Sequence, residues 1–207
     1  MSSHHIVRDE QEPALLTLNA AWLRDETLAS LLEWSPTIVV AAGEVDVLDS
    51  LGIKPDVVVA THEEKTRHSA EWEAFAPLTI LERTSEQSAV VAALHYLLAN
   101  RYKAVNIFAS PFDLLLSEFA LFFANMDIVF YTETSRWLWL RSGQYNKWLP
   151  AGTRLTVQSL NEPQEFTWSG FIAKPPQNPL NKVALDVKKD EMVSISSNLP
   201  FLLEEQL

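Results

Sequence analysis

The sequence predicts an α/β fold in two parts. A mostly parallel sheet with helices on both faces occupies residues 1–134, and a smaller antiparallel β-domain occupies residues 135–207. Two observations carry this. Between residues 12 and 133, short continuous runs rich in Val and Ile alternate with stretches of helical apolar spacing, the order that builds a parallel sheet. After about residue 134 the texture changes to short alternating segments separated by Gly, Pro, Asn and Asp, as antiparallel strands and their turns require.

Taken in order, residues 12–20 (EPALLTLNA) read as a first strand and 25–34 (DETLASLLEW) as an amphipathic helix. TIVVAA (37–42) is a second strand, buried on both faces because its apolar residues are continuous rather than alternating. VDVLDSLGI (45–53) has the spacing of a short helix, with Gly52 placed for its C-terminus. DVVVAT (56–61) is a third buried strand, HSAEWEAFA is helical, and LTILE (78–82) is a fourth strand. TSEQSAVVAALHYLLANR (84–101) predicts the clearest helix, with Thr84 and Gln87 at capping-box spacing. A strand (104–110), a helix (113–125) and a strand (127–133) complete the first part. In the second, RWLWLRSGQYNKWLP, TRLTVQSL, QEFTWSGFIA, KVALDVKKD and MVSISSN supply the strands.

Composition narrows the function. At 207 residues the chain is long enough for a substantial core. A net charge of −11 without any basic run repels a phosphate backbone, so no nucleic-acid partner is expected. The absence of cysteine excludes disulfides, thiolate catalysis and cysteine-held zinc. LLLSEFALFFA is too short to span a bilayer and carries Glu118, and no basic and apolar leader is evident, so a cytoplasmic, membrane-free protein is expected. Only five glycines are present, few for loops that must wrap phosphates closely.

Several strings carry a resemblance. LDSLGIKPDVVV (48–59), SAVVAALHYL (88–97) and SISSN (194–198), in that order, resemble segments of the thiamine pyrophosphokinase family. The resemblance implies a Rossmann-like domain over 1–134 for ATP and metal, and a β-sandwich over 135–207 for thiamine. It also implies pyrophosphoryl transfer from ATP to thiamine with Mg2+, giving thiamine diphosphate and AMP, in a homodimer whose sites lie between subunits.

The departures fall where that chemistry belongs. The family's Asp-Gly-Gly corresponds to Ala42-Gly43-Glu44, and its Gly-Asp-x-Asp-Ser to Ala60-Thr61-His62-Glu63-Glu64, which leaves only Glu63 as an acid in register. A Thr-Asp pair corresponds to Ser88-Ala89, and a Gly-rich Arg-x-Asp-His segment to ASPFDLLLSE, where Asp113 is its surviving aspartate. Ala173 stands where an aromatic residue is expected. The resemblance therefore implies Glu63 and Asp113 as catalytic residues and Glu63 and Glu64 as metal ligands, if the chain is active. It places Ser197 and Asn198 against substrate.

Each candidate also has a plain structural reading. Glu63, Glu64 and Lys65 fit a solvated loop, and His62 has no partner histidine at ligand spacing. Thr84, Ser85 and Ser88 need only start a helix, and Ser197-Asn198 equally fits a β-turn. Trp137, Trp139 and Trp148 suit a β-domain core or a dimer contact. Asp46, Asp49 and Asp56 suit surface or turn positions. Three functions stay open: a member with lost or reduced catalysis that binds thiamine, its phosphate or a nucleotide; an enzyme rebuilt around Glu44, Glu63, Glu64 and Asp113; and a non-catalytic subunit paired with an intact relative.

Overall fold

The computed structural model describes residues 12–22, 25–110, 119–159, 164–173 and 182–207. The chain divides into two compact units, Met1–Glu133 and Thr134–Leu207.

In the first unit, β1 (Ala14–Thr17), β2 (Ile38–Ala41), β3 (Val57–Thr61), β4 (Thr79–Arg83), β5 (Ala104–Phe108) and β6 (Asp127–Tyr131) lie in the order β6-β5-β1-β2-β3-β4. Every pairing among them is parallel. Consecutive residues Leu15 and Leu16, Val39 and Val40, and Val57 to Ala60 are all buried, so these strands are covered on both faces. This is why their sequences run apolar without alternation. One cluster joins Leu15, Val40, Val58 and Phe108 to Leu28 of α1 (Asp25–Leu32), Val45 and Leu48 of α2 (Val45–Ser50) and Trp72 of α3 (His62–Trp72). Leu94 and Leu97 of α4 (Ala89–Ala99) are fully buried, and His95 meets Phe122 of α5 (Ala120–Asn125) edge-on. Gly52, at φ +71°, ends α2 where expected, with the Ile53 N–H donating to the Leu48 carbonyl.

Two expectations are corrected here. Residues 62–65 are not a loop: α3 begins at His62, because Thr61 caps it. The helix expected over 84–101 spans Ala89–Ala99, and no Thr84–Gln87 capping box forms; Gln87 N–H donates to the Thr84 carbonyl in a turn. The first half of the helix expected over 113–125 lies outside the described residues.

The second unit holds two antiparallel sheets. One has the order β11-β12-β9-β14-β7, from β7 (Ser135–Leu140), β9 (Arg154–Gln158), β11 (Phe171–Ala173), β12 (Lys182–Val187) and β14 (Phe201–Gln206). The other is β10-β13-β8, from β8 (Gln144–Leu149), β10 (Thr167–Ser169) and β13 (Glu191–Ser196). A single apolar cluster draws on both, with Tyr145, Leu149, Val193 and Ile195 from the smaller sheet and Leu155, Leu185, Phe201 and Leu203 from the larger. The strand β14 was not anticipated. It pairs with both β7 and β9, and its Phe201, Leu202 and Leu203 are fully buried.

Two local features hold this unit together. Gly143 turns the chain from β7 into β8 at φ +67°, its carbonyl accepts from Ser197 N–H (2.9 Å), and a Cβ there would lie 2.4 Å from the Ser197 carbonyl oxygen. Across the two sheets, Glu205 of β14 accepts from Lys147 of β8 (2.9 Å) and from Nε and Nη2 of Arg136 of β7 (3.0 and 2.7 Å). Burial alone would raise the Glu205 carboxyl, but its bonds to Lys147 and Arg136 outweigh this and hold it below the usual carboxylate range.

Two stability measurements follow. Gly143→Ala should cost about 3 kcal/mol or more in urea unfolding, because strain at positive φ adds to a backbone clash. Gly52→Ala, with open space around it, should cost only about 1 kcal/mol; equal losses would contradict the close approach at Gly143. Glu205→Gln should cost about 2 kcal/mol at neutral pH, below the range for fully buried pairs because Lys147 is 40% exposed. Since Glu205 is depressed in the folded state, its contribution is complete above the unfolded value near 4.3 and is lost as pH falls through the lower folded value. The variant should therefore show a flatter acid limb than wild type.

Candidate functional site

In an open parallel sheet, ligands bind beyond the C-terminal strand ends, at the place where strand order reverses. Here that place is between β1 and β5, since β2, β3 and β4 follow on one side and β5 and β6 on the other. The loop after β1 is tied down: Leu18 and Asn19 N–H both donate to the Phe108 carbonyl (3.3 and 3.1 Å), and Ala20 N–H donates to Glu44 Oε2 (2.8 Å). Backbone donors that could meet an anion at this point are thus already engaged. Thr17, the last residue of β1, is fully buried and its hydroxyl has no hydrogen-bond partner.

The next corner is the end of β3. Thr61 has extended backbone and caps α3, its hydroxyl accepting from Glu64 N–H at 3.2 Å. Glu64 folds back in return, and its Oε2 accepts from Thr61 N–H (2.7 Å) and from the Thr61 hydroxyl (2.9 Å). The bond from Thr61 N–H is the main cause that holds the Glu64 carboxyl below the usual range; the Thr61 hydroxyl and Arg83, whose Nη2 lies 3.8 Å away, add to it. Glu63, one residue earlier, points away and pairs with Arg67 at 2.6 Å, one helical turn on.

At the end of β4, Glu82 accepts from Lys65 Nζ (3.2 Å) and contacts His62 Nδ1 (3.1 Å). Lys65 first, then His62, lower its carboxyl. Arg83 Nη1 donates to the Gln87 (2.9 Å) and Thr84 (3.2 Å) carbonyls, which fixes the turn ahead of α4.

The sequence-predicted residues are therefore neighbours in the fold without sharing a centre. Glu44, Glu63, Glu64 and Glu82 each hold a different protein group, and Asp113 lies outside the described residues. Magnesium demands several hard oxygens in near-octahedral order. Among the described residues no three His, Asp or Glu side chains come together in a way that could hold a metal ion. To hold Mg2+, Glu63 and Glu64 would have to leave the groups they are bonded to.

In the second unit, Ser197 is part-buried and Asn198 exposed. Ser197 Oγ accepts from Gln164 Nε2 (3.1 Å), while its backbone N–H serves the turn against Gly143. The three tryptophans do not form one platform. Trp137 is buried in β7 with Nε1 donating to Ser135 Oγ, whereas Trp148 stands 55% exposed on β8, in the other sheet.

Glu82 and Arg83 had no role in the sequence reading, although the charged pair ending the apolar run LTIL marks a strand leaving the core. The capping box at Thr61-His62-Glu63-Glu64 was also legible, as Thr-x-x-Glu directly after a buried strand.

No protein-family model and no curated protein matches this sequence. Solved structures do match in fold. The thiamine pyrophosphokinase of Bacillus subtilis is 16% identical at a TM-score of 0.65, with 93% of this chain and 97% of that one covered. Thiamin pyrophosphokinase from Candida albicans is 14% identical at 0.69, covering 96% and 90%. The yeast enzyme is 10% identical at 0.68, covering 98% and 88%. This chain has the thiamine pyrophosphokinase fold along nearly its whole length. No helix among the described residues is long and apolar enough to cross a membrane.

The capping assignment yields a direct check. Thr61→Ala should cost about 1 kcal/mol of stability and let the Glu64 carboxyl rise only part of the way toward its ordinary value, because the bond from the residue-61 N–H survives the change; NMR titration of that side chain reads it. An unchanged Glu64 titration in the variant would mean that the Thr61 hydroxyl does not bond to Glu64.

Proposed function

We propose that this chain is a thiamine pyrophosphokinase-fold protein in which pyrophosphoryl transfer is lost or much reduced, and which acts by binding thiamine or its phosphate as a cytoplasmic homodimer. One observation carries the reading. Four carboxylates at the ends of β2, β3 and β4 are each engaged by a group of their own chain: Glu44 by Ala20 N–H, Glu63 by Arg67, Glu64 by Thr61, and Glu82 by Lys65.

Physical chemistry turns that observation into a functional statement. Pyrophosphoryl transfer needs negative charge neutralised and the attacking and leaving oxygens aligned, work that a divalent cation performs on hard oxygen ligands. Ala42, Ala60 and Ala89 bring no side-chain oxygen to the strand ends. Glu63 is turned toward Arg67, and Glu64 would have to surrender its helix-capping bonds to reach a cation. Misplacement by about 1 Å costs roughly a hundredfold in rate, and several such losses act here together.

The test is formation of thiamine diphosphate and AMP by concentrated protein with thiamine, ATP and magnesium, run beside thermal-shift titrations. The reading expects no turnover, a rise in melting temperature with thiamine or its phosphate, and none with magnesium alone. Turnover that disappears in Glu63→Gln would replace it with an enzyme built on different ligands. No shift with thiamine, thiamine phosphate or ATP at millimolar concentration would remove the binding role.

A further inference from the structure

The first unit has a hollow away from its strand ends. β4 is the last strand on its side of the sheet, so α3, which packs over β3 and β4, has no further strand beneath its outer side. Where the chain leaves α3 and returns to β4, the two elements enclose an open hollow of about 200 Å³, lined by Ser69, Trp72, Glu73, Ala76, Leu78 and Ile80. Four of these six are apolar. Trp72 is 3% exposed and belongs to the core, and Leu78 and Ile80 are partly buried against it. The walls are fixed from behind: Lys54 Nζ donates to the Ala76 carbonyl (2.7 Å), and Trp72 stacks on His68 at 5.7 Å. Ile80 stands three residues before Arg83, about 10 Å down the strand, so the hollow lies apart from the carboxylates at the strand ends.

The acids around it fall into two kinds. Five stand between Thr61 and Arg83. Glu63 is paired with Arg67, Glu64 with Thr61, Glu71 with His68 and Glu82 with Lys65. Glu73 is the one that lines the hollow, and among the described residues no hydrogen bond or ion pair engages its carboxylate. Glu73 and Ser69 are both exposed, so the polar groups of the hollow face water while its apolar groups lead into the core.

We propose that this hollow binds a small organic ammonium ion, its apolar group against Trp72, Leu78 and Ile80 and its charge beside Glu73. The volume sets the size of the guest. An apolar cavity of about 150 Å³ takes up benzene, so one ring or a short branched chain fills this one. Burial of that group supplies the attraction, and the polar groups beside it set what is accepted. Glu73 chooses the sign. A cation gains a partner here that the chain itself does not supply, whereas a carboxylate on the guest is repelled by a unit holding eight basic against twenty acidic residues. An ion pair exposed to water adds only a few-fold in affinity, and a guest of this size in an open hollow binds in the millimolar range. The proposal stands apart from the reading of the strand-end corner and of thiamine binding.

Titration of the full chain with phenethylammonium, followed by NMR at the backbone amides of residues 69–80, tests it. The amine should move these signals with a millimolar dissociation constant. Phenethyl alcohol, the same body without the charge, should bind about threefold more weakly, and hydrocinnamate, with a carboxylate in its place, more weakly again. Glu73→Gln should bring the amine down to the level of the alcohol and leave the alcohol as it was. Ser69→Phe should fill the hollow and weaken both about tenfold, with circular dichroism unchanged since Ser69 is exposed. Signals that stay in place at tens of millimolar amine overturn the site. Equal affinity for amine and alcohol, or a Glu73→Gln variant that keeps the preference, overturns the role of Glu73. These two comparisons decide the matter even where Ser69→Phe disturbs α3, and neither bears on thiamine binding.

Discussion

The reciprocal hydrogen bonding of Thr61 and Glu64 sets the corner on which the candidate site depends. β3 is buried on both faces, so its last residue must hand the chain to a helix without leaving donors unpaired. The capping box does this, and it sets where α3 starts and how it is turned. That rotation carries His62 and Lys65 to Glu82, and Glu63 to Arg67, while Arg83 approaches Glu64 from the neighbouring strand. A carboxylate held by its own helix N-terminus is an anion already in place. It satisfies the positive end of the helix dipole from within the chain, and no external phosphate is needed to do so.

The same economy of partners explains what could be read from the sequence. Val57, Val58 and Val59 announce a strand because burial on both faces permits nothing polar between them, and Gly52 announces a helix end because few other residues accept its φ. Thr84 and Gln87 have capping spacing too, yet form only a turn, while Thr61 and Glu64 form the box. The difference is position. Thr61 directly ends a buried strand, whereas Thr84 is followed by exposed residues before α4 begins at Ala89. Spacing alone does not tell these apart; the tertiary surroundings do. β14 escaped notice for a related reason. Its apolar half is short, and Glu204-Glu205 reads as a solvated tail until Lys147 and Arg136, far away in sequence, are found beside Glu205.

The candidate residues show the other limit. Sequence places Glu44, Glu63 and Glu64 at the ends of neighbouring strands, and the fold agrees. Whether they converge is decided by side-chain partners such as Ala20 N–H and Arg67, about which sequence spacing says little. Ser197 is similar. As part of SISSN it looks like a ligand contact, but its backbone N–H and its hydroxyl are taken up by Gly143 and Gln164.

Fold and site are held by different kinds of constraint, which is how a chain 10–16% identical to thiamine pyrophosphokinases matches their structures over nearly all its length. A core asks only that positions remain apolar and of suitable volume, a condition many sequences meet. A cation site asks for particular oxygens within a fraction of an ångström, and a single Asp-to-Ala exchange ends it. The carboxylates at these strand ends have to be satisfied by some partner. Glu63, Glu64 and Glu82 have theirs within the chain, two of them on α3 and one at the strand end beside it. Each such pairing stands against cation binding, because a carboxylate could reach a cation only by breaking a helix cap or an ion pair.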